Sequence, residues 1–211
     1  MITAKLPAVA IAAMLLILLL AGCGQERTTV TTTVHMTTDN GAVVIARENR
    51  ASSVVAIQVY VRDGALFETS DEAGSANLLR NLMFQETESR GPGEIQRVVE
   101  GLGGYMSSAG RHDFTQYAVI VPSDNFDEVL ELLRDGLLNA VFAPGKVERE
   151  KEKVLDHIVG MAKRPIDRAY RLSLSEIMGD HPYGRLAEGT PEVLSRLTAE
   201  DLERRYRDRY V

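Results

Sequence analysis

The stretch Gly74-Ser75-Ala76-Asn77-Leu78-Leu79-Arg80-Asn81-Leu82-Met83-Phe84-Gln85-Glu86-Thr87 carries two patterns at once. Leu78, Leu79, Leu82 and Met83 recur at helical spacing, which predicts a helix over Ser75–Phe84 with one apolar side. Asn77, Arg80 and Asn81 are spaced i, i+3, i+4 and so share a second, polar face. Taken alone, that face is a solvated one.

Outward from this helix the chain alternates between the two periodicities. Upstream, Val55, Ile57, Val59 and Val61 fall on one side of a strand over Val54–Arg62, ended by Asp63-Gly64. Before it, Thr29–Met36 and Gly41–Arg47 are rich in β-branched residues and are joined through Asp39-Asn40-Gly41, a hairpin signal. Downstream, Gly91-Pro92-Gly93 precedes a helix over Glu94–Gly101, and Tyr105–Ala109 and Phe114–Val121 are predicted to pair as strands. Ser123 is placed to cap a helix over Asn125–Ala140, with Phe126, Val129, Leu130, Leu133 and Leu137 as its apolar repeat. Further helices are predicted from Pro144 to about Lys163, over Ile166–Met178, from Thr190-Pro191, and over Ala199–Arg207 behind Thr198. Strands, helices, strands, then helices give an α+β layer with helices on one face of the sheet.

Composition narrows the function. Hydrophobic residues make up 45% and charged residues 26% of 211, enough for one packed domain, and the net charge is -6. No nucleic-acid partner is expected, because no basic face is concentrated enough. The Lys/Arg-dense stretches Arg149–Lys153 and Arg204–Arg209 are interleaved with acids and predict solvated helix faces. Cys23 is the single cysteine, so the chain has no internal disulfide and no Cys-based metal site.

The first residues have the layout of an export signal: Lys5, an uncharged run over Leu6–Ala21 shorter than the roughly 20 residues of a spanning helix, then Gly22-Cys23. Leu20-Ala21-Gly22-Cys23 resembles the bacterial lipobox, which implies acylation (palmitate among the chains) at Cys23 and membrane attachment through that lipid. A plain membrane anchor with an incidental cysteine is the alternative. Gly24 in place of Asp leaves outer-membrane delivery open. The expected organisation is a signal over residues 1–22, a lipidated cysteine and tether over 23–33, and a domain over 34–211, in a bacterial cell envelope.

The opening stretch is similar to the insulinase/pitrilysin family of inverted zincins, whose surroundings run Gly-x-Ala-His-x-x-Glu-His-Met-x-Phe-x-x-Thr. In such peptidases two histidines of one helical face bind zinc and the glutamate activates water. Here Asn77 and Asn81 stand at the histidine positions and Arg80 at the glutamate position. At the family's spacing the third ligand position falls on His157, and the accessory acid is kept as Glu150. Gly103-Gly104-Tyr105-Met106-Ser107-Ser108-Ala109 resembles the family's Gly-Gly-x-x-Asn-Ala strand along the cleft, which implies peptide binding at Ser107, Ser108 and Ala109. His181-Pro182-Tyr183-Gly184 and Arg204–Val211 are also similar to family blocks, His181 and Tyr183 being read as turn and packing residues.

The resemblance implies a processing-peptidase-like α/β roll with a mainly antiparallel sheet. It also implies a clamshell partner: an active homologue, or a second-half domain into which family members continue beyond Tyr210-Val211. The chain is therefore expected to be a fragment or a truncated product. Asn amides are weak zinc ligands and Arg80 is a permanent cation, so no zinc and no catalytic residue are expected. A pairing of Arg80 with Glu150 is expected to balance that cation. The function implied is a non-catalytic, lipid-anchored subunit that helps enclose extended peptides, by strand addition at a sheet edge. Two alternatives stand beside it: an envelope interaction module without a peptide cleft, and an active metallopeptidase with an atypical metal site.

Overall fold

The computed structural model describes residues 32–210. The expected signal segment, Cys23 and most of the tether lie outside the described residues. The chain divides into two compact units, the first ending at Ser52 and the second beginning at Ser53.

The first unit holds the hairpin. Strands β1 (Thr33–Thr37) and β2 (Val43–Arg47) are antiparallel, with Thr37 opposite Val43. The turn closes through Gly41 N–H to Thr38 O and Thr38 N–H to Ala42 O, each at 2.9 Å.

The second unit carries β3 (Val54–Val61), α1 (Ser75–Leu82), α2 (Glu94–Gly101), β4 (Tyr105–Gly110), β5 (Thr115–Pro122), α3 (Phe126–Leu138), α4 (Pro144–Lys163), α5 (Pro165–Met178), α6 (Pro191–Leu194) and α7 (Ala199–Arg209). The three strands form an antiparallel sheet in the order β3-β5-β4, as an α+β fold requires. In β3 the expected set Val55, Ile57, Val59 and Val61 is half-buried while the alternate residues are exposed. Tyr117, Val119 and Val121 of β5 are buried beside them and join Leu78, Leu79 and Leu82 of α1 and Ile95 and Val99 of α2 in one core.

Two helices depart from their expected form. Helix α1 stops at Leu82, because Met83 is extended and Phe84 takes a positive φ of 64°. Helix α3 turns Val129, Leu132, Leu133 and Gly136 inward, leaving Phe126 and Leu130 exposed. Packing explains this phase: a Cβ on Gly136 would lie 2.0 Å from the Phe84 ring, so only this face of α3 can approach α1's end. The Ser123 cap does not form, and Ser123–Asn125 is instead a 3-10 turn without a side-chain cap. Thr190 and Thr198 cap α6 and α7 as expected.

The charged stretches are not wholly solvated either. Lys151 is buried, its Nζ bound to Leu197 O at 2.8 Å and Ser195 O at 3.2 Å beyond α6. Arg205 is buried against Asp63, Nη2 to Oδ1 at 2.5 Å, and ties α7 to the end of β3. In both cases a fixed carbonyl or carboxylate replaces water. Burial pushes the Asp63 carboxyl up, and the Arg205 charge pulls it partly back. Among the described residues no helix is long and apolar enough to cross a membrane.

Asp135 of α3 fastens the segment after Phe84. Its carboxylate accepts from Thr87 Oγ1 at 2.7 Å, Ser89 Oγ at 3.0 Å, Arg90 Nη1 at 2.5 Å and Asn139 Nδ2 at 2.8 Å. Burial alone would raise its pKa; the hydrogen bonds outweigh it and bring the value down to about 2. A depressed carboxyl stabilises the fold above its unfolded value of 3.8, and that contribution disappears as pH falls toward 2. Asp135→Asn should therefore lose about 2 kcal/mol at pH 7, a deficit that narrows between pH 4 and 2. Urea melts of both proteins across that range check it.

Candidate functional site between the first helix and the edge strand

The polar face of α1 is set by its start. Glu68, buried, accepts from Gly74 N–H at 3.0 Å and Ala76 N–H at 2.8 Å, and so satisfies two backbone donors at the helix N-terminus. With Leu78, Leu79 and Leu82 in the core, Asn77, Arg80 and Asn81 are half-buried rather than solvated. They meet β4, whose outer edge is unpaired among the described residues. Register places Met106 opposite Val119 and Ser108 opposite Tyr117, so both share the core-side face of the sheet.

Arg80 closes the site. Its Nη2 donates to Asn77 Oδ1 at 2.7 Å and its Nη1 to Ser108 Oγ at 3.1 Å, bridging helix and strand. Gly110 gives it room, since a Cβ there would stand 3.1 Å from Arg80 Nε. Beside Arg80 lies a cavity of about 210 Å³, bounded by Asn81, Met83, Phe84, Met106 and Tyr117 among others. Phe84 holds the left-handed backbone region at a cost of roughly 1–2 kcal/mol. Its ring packs on Tyr117 at 5.0 Å. Burial pushes the Tyr117 hydroxyl well above its ordinary pKa, so it stays neutral and shares a 3.1 Å hydrogen bond with the Tyr210 hydroxyl.

The remaining expected residues are placed elsewhere or differently. The expected Arg80–Glu150 pair does not form. Glu150, buried on α4, takes Lys153 Nζ at 2.9 Å, a neighbour one helical turn away, while Arg80 is held by Asn77 and Ser108. His157 is exposed on α4. His181 and Tyr183 form a turn, with Tyr183 N–H donating to His181 Nδ1 at 3.2 Å and the rings 5.1 Å apart. Ser107 and Ser108 line the cavity, and Ala109 lies half-buried in β4. A zinc ion does not fit the residues at Asn77, Arg80, Asn81 and His157: they offer one imidazole, two amides and a guanidinium whose hydrogen bond already engages Asn77 Oδ1. Sequence reasoning missed Phe84, Tyr117 and Gly110; a glycine ending a strand signals close backbone approach, and Gly110 carried that signal.

A family model described as insulinase (peptidase family M16) matches residues 43–190. The chain belongs to that family. An uncharacterized zinc protease of Rickettsia felis is 29% identical over 161 residues, covering 76% of this chain and 39% of the relative. The chain thus spans about two-fifths of the length of this relative. Its fold is that of the peptidase M16 inactive domain from Pseudomonas fluorescens, with a TM-score of 0.78 at 19% identity over 83% of this chain and 43% of that one. The first half of the periplasmic protease PqqL from Escherichia coli is similar with a TM-score of 0.76 at 18% identity, covering 84% and 40%.

A half-buried cation without a carboxylate partner does not stabilise a fold. Arg80→Leu should keep the M16 fold and stabilise it by about 0.5–1 kcal/mol, readable as a Tm raised by a few degrees. A fall in Tm would mean that the bridge from Asn77 to Ser108 holds the helix and strand together.

Proposed function

We propose that this M16 homologue is non-catalytic and holds extended peptides instead of cutting them. The observation that carries this reading is Arg80, whose guanidinium lies between α1 and β4 with hydrogen bonds to Asn77 and Ser108. By the family resemblance that is the place of the general base, and a permanently cationic guanidinium accepts no proton from water. Asn77, Asn81 and His157 are then the former ligand positions, Glu150 the former accessory acid, and no residue is catalytic.

Peptide would lie along Ser107, Ser108 and Ala109, adding a strand to the open edge of β4. The partner would be an active homologue or a second-half domain, with which this chain encloses the peptide. The name of the solved first half of a periplasmic protease supports such a division, and the inactive-domain neighbour supports a non-catalytic member. Residues 1–22 are proposed as the export signal, 23–33 as lipidated Cys23 and tether, and 34–211 as the peptidase-like domain. The protein would then sit on the bacterial envelope by its lipid, facing periplasm or exterior.

Zinc titration of the full chain, by calorimetry and native mass spectrometry, should show no stoichiometric ion, and a peptide substrate mixture should remain uncut with added zinc. One tightly held zinc that disappears in His157→Ala would sink the non-catalytic reading. For the anchor, cells fed labelled palmitate should label the wild-type chain and leave Cys23→Ser unlabelled and released from the membrane fraction; equal labelling of both would rule out Cys23 as the acylated residue.

A further inference from the structure

Arg80 differs from the two arginines that this molecule sets against buried carboxylates. Arg205 faces Asp63 and Arg90 faces Asp135, each at 2.5 Å. Arg80 has no carboxylate within 4.0 Å among the described residues, and its buried Nε has no partner. Glu188 and Arg111 both border a smaller neighbouring cavity that Arg80 also lines. Only two of the five guanidinium N–H groups are engaged, by Asn77 and Ser108. A half-buried cation with donors to spare favours an anion as its next partner.

The cavity beside it specifies which anion. No carboxylate borders the roughly 210 Å³ space, and Met83, Phe84, Met106 and Tyr117 give it an apolar wall next to the guanidinium. Phe84 holds that wall in a conformation that a bulky side chain rarely adopts, and such strain concentrates at ligand-binding positions. A ligand that satisfies both features has a carboxylate and an apolar group on the same carbon. An Asp or Glu side chain has the first without the second. The C-terminal residue of a peptide has both when its side chain is apolar.

We propose that Arg80 and this cavity form a carboxylate site that captures the free C-terminus of a peptide ending in an apolar residue. This rests on the reading of β4 as a peptide-binding edge, and it adds that the bound chain ends at Arg80 instead of running past it. The site would favour peptides that have already been cut, the products of a peptidase, over intact polypeptide segments.

Three tetrapeptide probes separate the sources of charge: acetyl-Ala-Ala-Ala-Leu with a free carboxylate, its C-terminal amide, and acetyl-Ala-Glu-Ala-Leu amide. With the full chain in mild detergent, calorimetry should show the acid binding at least about tenfold more tightly than either amide. Arg80→Gln should erase that preference, while Arg80→Lys, which keeps the charge but not the planar fork, should retain part of it. Gly110→Ala, whose added Cβ crowds Nε, should weaken the acid without removing the cation. Equal binding of acid and plain amide, or a preference that survives Arg80→Gln in a protein with an unchanged melt, overturns the proposal. A Glu-containing amide that binds as tightly as the acid overturns the C-terminal assignment. An amidated decapeptide reports separately on the strand edge and should bind wild type and Arg80→Gln alike. Its failure to bind either would sink the peptide-edge reading, and the tetrapeptide preference would still decide the carboxylate site.

Discussion

The buried carboxylate of Glu68 decides where everything else in the site stands. It lies outside α1, six residues before Gly74, yet it accepts from the backbone of Gly74 and Ala76 and lies 3.4 Å from Ser75 Oγ. Burial pushes its pKa up and the two backbone hydrogen bonds pull it partly back. A helix has one rotation about its axis that satisfies such an anchor and also buries Leu78, Leu79 and Leu82. That rotation turns Asn77, Arg80 and Asn81 toward β4. Arg185 adds a second tie, donating to Glu68 O at 3.0 Å from the segment that follows α5.

Electrostatics then sets two paired arginines apart from Arg80. Asp63 with Arg205, and Asp135 with Arg90, are closed pairs that join elements distant in sequence. Removing either partner would leave the other charged in a poor solvent, so each pair is costly to break. Arg80 sits half-buried with amide and hydroxyl partners only. Several relatives of this chain are named zinc proteases, and under the proposed reading a cation here reverses the charge that metal chemistry would need. The fold accommodates it because Gly110 leaves space beside Nε and Ser108 supplies an acceptor from the strand.

The strain at Phe84 belongs to the same arrangement. Ending α1 at Leu82 sends the chain back under the helix, and the Phe84 ring fills the gap between Tyr117 and Gly136. A glycine at the position would relieve the backbone and leave a hole in the core, whose cost is the larger. The cavity wall is therefore rigid on one side and bounded by an open strand edge on the other.

Much of this was legible in the residues. Period-2 alternation in Val54–Val61, the Asn40-Gly41 turn and the caps at Thr190 and Thr198 are local features, governed by neighbours a few residues apart, and they reach the fold unchanged. The polar triad on α1 was legible for the same reason, since spacing along one helix fixes which residues share a face; its place in a peptidase-like fold was implied only by the family resemblance. The partners of that face were not. Arg80 binds Ser108, 28 residues away, where Glu150 had been expected; Glu150 instead takes Lys153. Nor does the spacing of Arg205 and Lys151 among acids distinguish a solvated face from a buried pair, since Asp63 and the Leu197 carbonyl that hold them come from other elements. Sequence by itself determined most of the elements and the chemistry present at each position, while packing set the buried face of α3. Tertiary structure alone decided which charges are neutralised, because Coulomb and desolvation energies depend on distances that no periodicity along the chain contains.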